Sequence, residues 1–235
     1  MAYGASEMMS FWLRKGLIDC AVTVCEGAGT VITGDGELVQ GIGARLTGIM
    51  KTTPISEIID YIQRHGGTVL DSQTAAINQA RGVKHALKQG KHRIAVTVAN
   101  FQAKAISQIR KLKIEPDTEI LVFSVCNTKA CEDDLKHIAE ADIVCASASK
   151  LLRDRLAKES LLQLGVTIPV YALTKKAKRL ILAYLVEFDG KVVTFRTKNL
   201  PYGTQERGPR LRGNLDTKTF KCKYQRKSAR MQHRC

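Results

Sequence analysis

Aromatic residues make up only 6% of the sequence, with a single tryptophan, and prolines number five. Any interior must therefore be filled mainly by aliphatic and alanine side chains. No stretch approaches the ~20 uncharged apolar residues of a membrane-spanning helix, so no membrane partner is expected. The N-terminal MAYGASEMMSFWLRKG has no basic segment followed by an apolar one, so no secretory signal is read there. A cytoplasmic location follows as an expectation. In that reducing compartment the seven cysteines are expected as thiols, metal ligands or nucleophiles rather than disulfides. Also missing are a C-x-x-C pair, a His-x₃₋₅-His spacing and a G-x-S-x-G nucleophile elbow. Nor is there a G-x-x-x-x-G-K-[ST] phosphate loop. Zinc-ribbon, hydrolase and nucleoside-triphosphatase chemistry therefore have no motif behind them.

What is present suits one large domain. The 235 residues are enough to bury a core, and 44% apolar with 25% charged residues is ordinary for a globular chain. The net charge of +15 is uneven. From Lys198 onward eleven Lys/Arg face only Glu206 and Asp216, a net +9. Residues 198–235 also lose all apolar periodicity, which predicts a flexible basic tail behind an α/β domain over 1–197.

Within that domain, strand-length apolar runs alternate with longer amphipathic stretches. Strands are predicted at Leu17–Cys25, Arg93–Val98, Glu119–Val125, Asp142–Ser147 and Pro169–Leu173, with shorter pieces at Thr30–Thr33 and Thr68–Asp71. Thr53-Pro54 reads as a helix start, followed by the stripe Ile55, Ile58, Ile59 and Ile62 and a stop at Gly66-Gly67. A second helix is predicted over Thr74–Gln89. Further stripes are Ile106/Ile109/Leu112, Leu152/Leu156 with Leu161/Leu164, and Ala177/Leu180/Ile181/Tyr184. Alternating strands and helices imply right-handed βαβ units: a three-layer α/β domain with a mostly parallel sheet flanked by helices.

In such sheets ligands bind beyond the carboxyl ends of the strands. The turns expected there carry Glu26, Gly27, Gly29 and Thr30 after the first strand, Asp71, Asn100, Asn127 with Thr128, Ser147, and Thr174-Lys175. Their amide, hydroxyl and glycine groups suit a small polar ligand, although turns and caps use the same residues. The stretch Gly34–Gly48 contains Gly41-x-Gly43 with Arg45, which as a loop would admit an anion to the backbone beside a guanidinium. The dinucleotide fingerprint fails there, because Leu46 stands where its third glycine belongs. Turn formation alone also accounts for these glycines.

Among the cysteines, Cys20 and Cys25 lie five apart on one predicted strand and so face opposite sides. Cys126 and Cys131 bracket a strand-to-helix turn, and Cys126 at a helix N-terminus would ionise readily. Cys126 and Cys25 are thus candidate nucleophiles, with Glu26 a candidate acid or base. Cys25, Cys126 and Cys131 are weak metal candidates. Buried thiols that merely pack are the plain alternative. His65, His85, His92, His137 and His233 form no catalytic set.

The runs GASEMMSFWLRKGLIDCAVTVCEGAGTVIT, ELVQGIGARLTGIMKTTPISEII and VLDSQTAAINQARGVKHALKQGKHRIAVTVA, with the later ADIVCASASK and GVTIPVYALT, resemble the methanogenesis marker protein 8 family over about Ala5 to Leu185. The resemblance implies a role in methanogenic archaea near the methyl-coenzyme M pathway. It names no cofactor and no reaction. Members usually carry a further segment before the GASE block, and the basic end after Thr197 does not match them. Three functions follow as expectations: a cytosolic protein that binds a polar cofactor or a methanogenesis enzyme at the strand-end crevice; a thiol- or metal-dependent enzyme; and an RNA binder acting through the tail, where Tyr202, Phe220 and Tyr224 would stack on bases.

Overall fold

The computed structural model of the protein describes residues 3–45 and 48–194, with Ala44 and Arg45 as backbone only. The predicted tail over 198–235 lies outside the described residues. Among those described, eight strands form a single sheet: β1 (Cys20–Cys25), β2 (Gly29–Thr33), β3 (Thr68–Val69), β4 (Arg93–Ala99), β5 (Glu119–Val125), β6 (Ile143–Cys145), β7 (Leu162–Leu164) and β8 (Val170–Ala172). Their spatial order is β3-β2-β1-β4-β5-β6-β8-β7. Strands β1, β4, β5 and β6 pair in parallel, whereas β2 and β8 run antiparallel to both of their neighbours. The α/β class therefore holds, with a correction to the sheet. It is mixed, with a parallel centre and antiparallel margins.

Among the described residues eight α-helices cover the sheet: α1 (Ala5–Arg14), α2 (Gly36–Arg45), α3 (Ser56–Arg64), α4 (Gln79–Lys88), α5 (Lys104–Arg110), α6 (Glu132–Ile138), α7 (Lys150–Leu156) and α8 (Lys175–Val186). Alternation along the strands sends Val22, Val96 and Val122 to one face, where they meet Val83, Ile106, Ile138 and Leu152 of α4 to α7. Their neighbours Ala21, Ala95, Leu121 and Phe123 meet Met8, Trp12, Val39 and Ile181 of α1, α2 and α8 on the other. A third cluster seats Ile59 and Ile62 of α3 on Ala28 and Val31. Each of the larger side chains so buried contributes about 1.5–3 kcal/mol.

Several expectations are displaced. The glycine-rich stretch is helix α2, not a loop. A Cβ on Gly36 would lie 2.8 Å from Ser10 O, and one on Gly43 only 2.2 Å from Ser6 Cβ. The two glycines, seven apart on one helical face, let α2 pack closely on α1. Helix α3 begins at Ser56 and not at Pro54, because Thr52 and Ile55 are held beside the first turn: Gly27 N donates to Thr52 Oγ1 at 2.8 Å, and Ile55 N to Gly27 O at 2.8 Å. Helix α4 starts at Gln79, where Asn78 caps it by accepting from Arg81 N at 2.9 Å. Of the stripe Leu161/Leu164, Leu164 lies in strand β7 and Leu161 in the turn over 157–161 that splits it from α7.

Candidate functional site

Because β1, β4, β5 and β6 run the same way, their carboxyl ends share one rim. The pairing of Val22 with Val96, Ala99 with Val125 and Ser124 with Val144 keeps those ends nearly level. The reversal of β8 sends Thr174 and Lys175 to the opposite rim, which corrects their expected place. There Thr174 Oγ1 donates to Asp142 Oδ1 at 2.8 Å, and Arg110 Nη2 to Asp142 Oδ2 at 2.6 Å.

At the carboxyl rim, between the start of α1, helix α2 and the turns after β5 and β6, lies a pocket of about 780 Å³. That size suits a small organic molecule. Its floor is apolar, with Met9, Val39, Phe123 and Val125, and its edge carries polar groups including Ser6, Glu7, Gln102 and Thr128. Two residues at its border hold a left-handed backbone that a side chain disfavours, Cys126 at φ 56° and Ser147 at φ 50°. Asn127 between them is fully buried. Its backbone N–H donates to Ser147 Oγ at 3.3 Å and its amide to Cys145 O at 2.8 Å, clamping the β5 turn to the β6 turn.

Of the candidates drawn from sequence, Gly43, Cys126, Thr128 and Ser147 line this pocket. The others lie elsewhere or are engaged locally. Thr30 is buried against α4, donating to Gln79 Oε1 at 2.9 Å and accepting from Asn78 N at 2.7 Å. Gly27 in the β1–β2 turn and Gly29 at the start of β2 adopt φ 78° and 70°, and a Cβ on Gly29 would lie 2.2 Å from Ala75 O. Asp71 accepts from Thr74 Oγ1 at 2.7 Å and Thr74 N at 3.0 Å, and these bonds hold its carboxyl below the ordinary range. Asn100 is buried in the short turn after β4. Gly41 stands exposed on α2 with open space around it, and the Arg45 side chain lies outside the described residues.

The thiols separate likewise. Cys25 packs against the α3 cluster, donates to Glu26 O at 3.3 Å, and is pushed up in pKa by burial and by the Glu26 charge. Glu26 itself is exposed. Cys126 does not sit at a helix N-terminus: α6 begins at Glu132, and Cys131 is its cap, with Cys131 Sγ 3.2 Å from Asp134 Oδ2. Among the described residues no three His, Cys, Asp or Glu side chains gather as a metal centre would require. Sequence reasoning missed Cys145, which lines the pocket with its Sγ 3.8 Å from Ser147 Oγ. It also missed Arg153, Thr23 and Thr97. The alternation of β1 and β4 was a signal for the two threonines, since both stand on the face of Ala21 and Ala95.

Two comparisons bear on this arrangement. The family described as "Uncharacterized protein conserved in archaea (DUF2099)" matches residues 1–185. The chain is also similar to "Uncharacterized protein MJ0054" of Methanocaldococcus jannaschii, 39% identical over 202 residues that cover 85% of this chain and 69% of the relative.

Proposed function

Starting from the chain's membership of this family conserved in archaea, we propose that the protein binds a small molecule with an apolar body and a polar edge in the rim pocket, in the service of methanogenesis. The carrying observation is the pocket itself: about 780 Å³, apolar at its floor, ringed by hydroxyl, amide and thiol groups at the carboxyl ends of parallel strands. A relative from a methanogen supports the setting, as does the resemblance to methanogenesis marker protein 8. In this reading the protein presents or carries a polar cofactor for a partner enzyme, with maturation of methyl-coenzyme M reductase or its cofactors as the specific role.

Native mass spectrometry of the protein purified without oxygen from a methanogen tests this. The expected result is a discrete small-molecule adduct that disappears when Ala99→Phe fills the pocket from the end of β4. Neither an adduct nor a co-purifying enzyme would overturn it.

A second reading is thiol chemistry, and one observation favours it. Cys126 and Cys145, on neighbouring strand ends, line the same pocket, whereas Cys25 packs elsewhere. Cys126 then takes the nucleophilic role with Cys145 beside it. Alkylation of Cys126 that left turnover of an identified substrate untouched would remove this alternative.

A further inference from the structure

Every basic side chain of known surroundings that reaches the pocket belongs to one residue, Arg153 of α7, among the described lining. Its placement is fixed by the backbone. Nη2 donates to Ser147 O at 2.9 Å and to Thr167 O at 3.0 Å, so the guanidinium bridges the turn after β6 and the loop before β8. Both carbonyls are neutral acceptors. Among the described residues Arg153 has no carboxylate partner, although Asp154 follows it in sequence and pairs with Lys150 instead. Its Nε is buried with no hydrogen-bond partner. A half-buried guanidinium with no paired carboxylate is costly unless something else supplies the counter-charge, although Glu7 also lines the cavity. The neighbouring apolar surface, Ile168 beside it and Phe123 and Val125 across the pocket floor, holds water away from one side and strengthens any charge pairing there.

We infer that the ligand of this pocket carries an anionic head group, a carboxylate, sulfonate or phosphate, which pairs with Arg153 while its apolar body lies on the Phe123–Val125 floor. With Nη2 engaged by the two carbonyls, Nη1 is the nitrogen left to donate to such an oxyanion, and the positive charge supplies the rest of the attraction. Ser147 and Thr167 act as positioning residues, since their carbonyls fix the angle at which the guanidinium faces the cavity. This inference rests on the pocket reading above and adds the charge class of what enters.

Two fluorescent probes of matched shape test it in the full-length protein: 8-anilinonaphthalene-1-sulfonate, which is anionic, and N-phenyl-1-naphthylamine, which is the same ring system without the sulfonate. Arg153→Gln is expected to weaken the sulfonate at least tenfold and the neutral probe less than twofold, and Arg153→Lys to restore most of the sulfonate affinity. Equal weakening of both probes would mean that Arg153 only braces its loops, and no weakening of either would mean that it takes no part. Each result overturns the inference. Ala99→Phe separately tests the pocket: if it leaves both probes bound as before, or if neither probe binds at all, the pocket reading itself fails.

Discussion

Gly41 and Gly43 stand two residues apart on α2 and should respond in opposite ways to the same change. A Cβ at Gly43 would strike Ser6 of α1, so Gly43→Ala is expected to destabilise by about 1–3 kcal/mol through overpacking. A Cβ at Gly41 meets nothing within 4 Å, so Gly41→Ala is expected to stabilise by about 0.5–1 kcal/mol, because alanine is the better helix former. Urea unfolding of the two variants checks both signs. A buried thiol gives a second expectation. Cys20 is almost wholly enclosed in the core, and burial raises its pKa from 9.0 to about 12. With the folded value above the unfolded one, the stabilisation is complete below pH 9 and is lost as pH rises from 9 towards 12. The loss runs at about 1.4 kcal/mol per pH unit for one proton. Cys20→Ala should flatten the alkaline decline of stability by about one proton, measured by denaturant midpoints between pH 9 and 12.

Among the elements, the strands were legible because their apolar runs are long enough and stand alone, as in β4 and β5, whose predicted and observed bounds differ by at most one residue. Direction was not legible. A run such as Val170–Ala172 looks the same whichever way it pairs, and β8 is turned round by the loop after β7, where Gly165 takes φ 69°. Helix α2 was hidden for a different reason: its glycines are unfavourable for an isolated helix, and their purpose lies on α1, fifty or more ångströms of extended chain away. The same elements explain an anchor opposite the pocket. Asp142, just before β6, is 3% exposed and accepts from Arg110, Thr174 and Val122 N, tying α5, β5 and α8 together. Asp142→Ala is expected to cost about 3–5 kcal/mol, since it strands a partly buried guanidinium and a backbone donor. Affinity for the neutral naphthylamine probe should persist, because the anchor lies at the other rim. Denaturation and probe titration on one variant check this.

For the whole molecule, the candidate site was half legible. The topology rule located the rim that carries the pocket, and Cys126, Thr128 and Ser147 line it. The residues after β1 and β3 did not join them because α3 and α4 occupy that part of the rim, engaging Gly27, Thr30 and Gln79 in packing and hydrogen bonds. This separation predicts a pattern of chemical protection. An occupied pocket should slow alkylation of Cys126 and Cys145, while Cys131 at its helix cap and Cys25 beside α3 react at unchanged rates. Peptide mapping after timed alkylation, with and without the anionic probe, reads this out.

Helix α1 is locked to α8, Trp12 Nε1 donating to Leu180 O at 2.9 Å. One wall of the cavity comes from Gly4 to Met9 and another from Thr167 and Ile168. A nascent polypeptide emerging from the ribosome consequently has no cavity to offer until nearly all of this body has been synthesised. Filling of the pocket by any ligand is then a post-translational event, and chains that stall midway through translation are blind to it.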